Sequence, residues 1–103
     1  MRFLLKVSIP VEAGNRAVKN GTLGKTIESI LSDLKPEAAY FTESDGMRAG
    51  YIFVDIKEPS QLPAVSEPWF LAFDAKLEFH PAMTMKDLAK AGEGIERAVK
   101  KYA

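Results

Sequence analysis

Residues 38–56 read AAYFTESDGMRAGYIFVDI, and this stretch decides the fold. Ala38 to Glu43 is rich in aromatic and β-forming residues, with Tyr40, Phe41 and Thr42 in succession. Asp45-Gly46 follows, a strong tight-turn pair because glycine tolerates positive φ. Met47 to Ile56 is then the partner strand, and the segment predicts an antiparallel hairpin.

Working outward, Arg2 to Ile9 alternates with period two. Phe3, Leu5, Val7 and Ile9 point one way and Arg2, Leu4, Lys6 and Ser8 the other, until Pro10 ends the strand. Glu12 to Gly21 contains Gly14 and the pair Asn20-Gly21 and reads as a loop, with at most one helical turn over 16–19. Thr22 is the expected N-cap of a helix whose apolar residues Leu23, Ile27, Ile30, Leu31 and Leu34 recur at three and four residues. Pro36 marks its end by restricting Lys35. After the hairpin, Pro59 and Ser60 open a short helix carrying Leu62, Val65 and Trp69, with Ser60 as cap and Pro68 distorting or closing it. Phe73 to His80 reads as a fourth strand ending at Pro81. Thr84, with Asp87 three residues on, caps a last helix whose stripe is Leu88, Ala91, Ile95, Ala98, Val99 and Tyr102. Gly92 and Gly94 weaken that helix in the middle, each by about 1 kcal/mol relative to alanine.

Composition narrows the function classes. A chain of 103 residues fits one domain, 1–103, with a core over 1–81 and a helical extension over 84–102. Its 14 basic and 14 acidic residues balance without a long run of one sign, which argues against a nucleic-acid surface and against a polybasic membrane patch. The absence of cysteine excludes disulfides and thiolate metal sites and fits a cytoplasmic location. One histidine and scattered carboxylates fall short of a metal-ligand set, and no cofactor fingerprint is present. The start of the chain is too short and too charged for a signal-peptide core or a membrane span.

The element order is strand, helix, strand, strand, helix, strand, helix. The first six elements are the split repeat of an α+β, ferredoxin-like β-α-β-β-α-β fold with one antiparallel sheet and an additional C-terminal helix. Several strands carry apolar residues at both parities, whereas a sheet with one wet face alternates cleanly. The face away from the helices therefore needs cover. A two-fold homodimer through that open face supplies it, and the alternative is that the last helix folds back over the open face or an edge.

At this point the chain resembles the dimeric α+β barrel superfamily. The resemblance rests on the strand Arg2 to Ile9, the hairpin around Asp45-Gly46, the segment Glu67-Pro68-Trp69-Phe70, and the ending Glu78-Phe79-His80-Pro81. It covers about residues 1 to 81 and is nearest to the small bacterial members without an assigned reaction. The superfamily includes muconolactone isomerases and antibiotic-biosynthesis-type monooxygenases. The resemblance implies a small-molecule site between sheet and helices or inside the barrel; no catalytic residue transfers by motif.

Four groups of residues are the candidates for chemistry. His80, the only histidine, sits at a strand end and is the natural general acid or base; its plain reading is a surface side chain before Pro81. Glu78 lies two residues away on the same face, and a neighbouring first strand would bring Lys6 beside both, either to position His80 or simply as a cross-strand ion pair. Tyr40, Tyr51, Trp69 and Phe70 could line a ligand pocket or be core. Arg16 and Lys19, between Gly14 and Gly21, could hold an anion, although the spacing matches no phosphate-binding pattern. The sequence thus leaves three functional readings: a binding module for a small apolar or aromatic molecule, a cofactor-independent isomerase or monooxygenase-like enzyme using His80, and a structural module without a ligand.

Overall fold

The alternation over residues 2–9 does form a strand, β1 (Arg2–Ile9), at the centre of the architecture. A computed structural model describes all 103 residues. The chain continues through α1 (Val11–Lys19), α2 (Leu23–Leu34), the hairpin β2 (Ala38–Ser44) and β3 (Met47–Asp55), a 3₁₀ turn (Pro59–Gln61), α3 (Leu62–Phe73), β4 (Lys76–Pro81), α4 (Met85–Lys90) and α5 (Gly92–Tyr102). The protein is α+β, with four antiparallel strands in the order β2-β3-β1-β4 and five helices. No helix is long and apolar enough to cross a membrane.

Register turns parity into two faces. Leu5 lies opposite Ile52 on β3 and Phe79 on β4, and Phe3 opposite Val54; these residues face the helices and meet α1, α2 and α3 in one core. Leu5, Val7, Ile52, Trp69 and Phe73 are its largest fully buried side chains. Each such side chain contributes roughly 1.5–3 kcal/mol by burial. The opposite parity, Leu4, Lys6, Tyr51, Phe53, Glu78 and His80, faces away from that core. The hairpin turn is as the sequence predicts: Asp45 and Gly46 both have positive φ, 54° and 76°, the backbone that a two-residue turn between twisted strands requires.

Five local expectations are corrected. Residues 11–19 are a helix and not a loop: Ala13 and Ala17, four apart, are small enough to lie buried against the sheet, and the Gly14 N–H donates to the Pro10 carbonyl at 2.9 Å. Thr22 stands at the start of α2 without capping it; its hydroxyl donates instead to the Ala17 carbonyl at the end of α1, 3.3 Å away. Ser60 is no cap either. The backbone N–H groups of Lys57 and Glu58 donate to the Gln61 side chain at 2.8 and 2.9 Å, closing a capping box on Glu58, two residues earlier than Ser60. Pro68 does not close α3, which runs on to Phe73 because the buried Ser66, Trp69 and Phe73 hold it to the body. Phe73 is therefore helical, and the turn into β4 comes at Asp74, whose φ of 53° terminates the helix.

The last helix is two. Its cap forms as read, with the Thr84 hydroxyl accepting from the Asp87 N–H at 3.2 Å and the Asp87 carboxylate accepting from the Thr84 N–H at 2.9 Å. The run then breaks at Ala91, just before Gly92, into α4 and α5. Neither helix buries a residue, and the chain extends 58 Å along its long axis with a radius of gyration of 17.2 Å. A compact chain of this length has a radius near 13 Å. The C-terminal segment is thus an arm standing off the body, and it does not cover the open sheet face of its own chain.

Candidate functional site

The two faces of the sheet divide the candidate residues. On the open face Lys6 lies opposite Glu78, with Nζ 3.8 Å from Oε2 and 5.9 Å from the centre of the Tyr51 ring. His80 shares this face, opposite Leu4, and is exposed. The antiparallel β1–β4 pairing therefore brings Lys6, Glu78 and His80 onto one surface, and the direct contact within the set is the Lys6–Glu78 pair. An ion pair of this kind contributes about 0.2–1 kcal/mol. Tyr40 and Tyr51 are cross-strand neighbours on the same face, with Tyr40 67% exposed.

Trp69 is separated from them by the thickness of the sheet. It is 1% exposed and packs against Phe73 with ring centres 6.3 Å apart. Phe70, next in sequence, is exposed. The four aromatics therefore do not converge: two lie on the open face, one in the core, one at the surface. Arg16 forms an ion pair with Asp74 at 3.7 Å, tying the end of α1 to the end of α3, and no anion cradle is built from Arg16 and Lys19.

On the helix side lies a partly enclosed cavity of about 210 Å³. Val7 and Ile9 of β1 form its floor, Leu23 and Ile27 of α2 one wall, and Phe41 of β2 and Trp69 of α3 complete the apolar lining. Its polar boundary is small and consists mainly of Arg48 and Thr42. Two glycines set how its lining side chains pack. Gly50, on the inward parity of β3, leaves a gap that the Phe41 ring covers; a methyl group on Gly50 would lie 3.1 Å from Phe41 Cε1. On α1, Gly14 lets the Arg48 side chain lie against the helix backbone, where a methyl group would stand 2.6 Å from Nη1.

One polar group at the cavity is unpartnered. Arg48, which is partly exposed, takes part in none of the four ion pairs of the chain. Glu43, opposite Arg48 on β2, instead accepts from the Gly46 N–H of the turn at 3.2 Å. The Trp69 indole N–H is fully buried and has no hydrogen-bond partner, which costs about 1–3 kcal/mol. An apolar hollow bordered by one free guanidinium is suited to hold an apolar body carrying a carboxylate.

Of the cavity residues, the sequence pointed to Trp69 alone. Arg48 carried a usable signal: it stands on the same parity as Gly50, Ile52 and Val54, where an arginine interrupts an otherwise small or apolar inward row. No three His, Asp or Glu side chains gather to hold a metal ion. The sequence matches no protein-family model and no curated protein.

Proposed function

We propose that the protein is a binding module for a small apolar or aromatic molecule, that the ligand occupies the cavity between the sheet and α2 and α3, and that two ferredoxin-like protomers associate through their open sheet faces. The observation that carries the reading is the cavity itself. A partly open hollow of about 210 Å³ whose lining is mostly apolar, with Leu23, Ile27, Phe41 and Trp69, is the kind of surface that holds a small apolar molecule. It lies just below the range of about 300–1,000 Å³ common for drug-sized ligands, which suits a single-ring molecule. The strand order β2-β3-β1-β4, with helices on one face, supports the ferredoxin-like assignment. Leu4, Tyr51 and Phe53, partly exposed on the open face, support self-association there and with it the dimeric α+β barrel.

The catalytic reading has its own observation, the placement of His80, Glu78 and Lys6 on one surface. That surface carries no concave apolar chamber in a single protomer, and His80 does not line the cavity. Binding on the helix side is therefore preferred to isomerase- or monooxygenase-like chemistry, and to a purely structural role, which would predict a filled interior. The test is a thermal-shift screen with single-ring aromatic and branched aliphatic compounds. A ligand at one hundred times its Kd stabilises by about 2.7 kcal/mol, an easily read rise in melting temperature. Uniformly unchanged melting across such a library contradicts the reading.

A further inference from the structure

We infer that the cavity is built for an aromatic carboxylate, with Arg48 receiving the carboxylate. The inference rests on the binding role proposed for this cavity and narrows its ligand to one chemical class. Two observations converge on it. The walls are apolar and partly aromatic, so the body of the ligand is a ring or a compact hydrocarbon. Arg48 lines the chamber without a carboxylate partner, while the nearest acidic residue in register, Glu43, has its carboxylate engaged by the turn. A guanidinium is always charged and offers a planar fork of donors matched to a carboxylate.

Gly14 and Gly50 fit the same picture. The absence of a side chain at Gly14 admits the guanidinium against α1, and its absence at Gly50 lets the Phe41 ring pack across β3. A larger residue at Gly14 would push the cation away, and one at Gly50 would push the ring. The two glycines thus shape the polar end and the apolar lid of one chamber. A neutral hydrocarbon would leave Arg48 unpaired, and desolvating it without a partner opposes its binding. A carboxylate without a ring would leave the apolar walls unfilled.

The experiment is isothermal titration of the intact chain with 4-hydroxybenzoate, benzoate, 4-hydroxybenzyl alcohol and propionate. The expected result is that 4-hydroxybenzoate binds about ten-fold or more tightly than the neutral alcohol, the ratio expected for one hydrogen bond to a charged group. Propionate should show no heat of binding. Arg48→Gln should remove the preference for the acid over the alcohol. The comparison of acid and alcohol on the unaltered chain does not depend on the variant folding. Equal affinity for acid and alcohol overturns the carboxylate assignment and leaves a cavity that binds rings; failure of every ring compound to bind at millimolar concentration overturns both.

Discussion

At the scale of single residues, the account turns on side chains that are absent. Gly14 sits in the middle of a nine-residue helix, where glycine is disfavoured by about 1 kcal/mol relative to alanine. The structure supplies the reason in Arg48, whose Nη1 lies where a β-carbon would approach to 2.6 Å. Two effects then oppose each other in Gly14→Ala. The helix gains propensity, and the guanidinium, the far end of a flexible side chain, must swing aside. We expect the melting temperature to stay within about 5 °C of the parent, because the two terms are each near 1 kcal/mol, and the affinity for an aromatic acid to fall. Calorimetry on the variant checks the first and titration the second. A fall in melting temperature of more than about twice that would show that the guanidinium cannot move and that Arg48 is a structural strut.

At the scale of elements, capping gives the arm its pH dependence. Asp87 accepts from the Thr84 N–H, and that hydrogen bond, first among the causes, holds its carboxyl below the ordinary range. A carboxyl depressed in the folded chain stabilises the structure fully above its unfolded value, and the contribution disappears as pH falls through the lowered value. Far-UV circular dichroism during acid titration should therefore show α4 and α5 losing helicity at the acidic end, and Thr84→Ala should abolish part of that helicity already at neutral pH. The cap was legible in the sequence because Thr84 and Asp87 have local partners, as was the hairpin, where Asp45-Gly46 fixes its own turn. The errors came where tertiary packing overrode local signals. Gly14 and Asn20-Gly21 argue for a loop, yet Ala13 and Ala17 find a sheet to lie on; Pro68 argues for a stop, yet Ser66 before it and Trp69 and Phe73 after it anchor the helix. The site was less legible than the fold for the same reason. Lys6, Glu78 and His80 follow from parity and strand adjacency, but a chamber formed by Leu23, Phe41, Arg48 and Trp69 joins four elements, and no spacing along the chain encodes that meeting.

At the scale of the whole molecule, two apolar surfaces lack cover. One is the open sheet face, with Leu4, Tyr51 and Phe53 half-buried beside the exposed Tyr40. The other is the stripe of the arm, where Leu88, Ile95, Val99 and Tyr102 are all exposed. An isolated helix shorter than about 12–15 residues is marginal in water, and α5 has 11 residues with a glycine at its first and third positions. Its stripe is expected to be covered by a second copy of the chain. Sedimentation equilibrium should give twice the 11.4 kDa of one chain, with helicity falling on dilution into the monomer. A monomer that keeps full helicity at micromolar concentration contradicts the dimer without touching the cavity, which lies on the other side of the sheet.

The location of the ligand decides the account most directly, because the two candidate surfaces lie on opposite sides of one β-sheet. A crystal structure of the protein soaked with 4-hydroxybenzoate measures it. The ring is predicted between Ile27, Phe41 and Trp69, with its carboxylate on Arg48. Density for the ligand on the opposite face, beside His80 and Glu78, with the inner chamber empty, would contradict it.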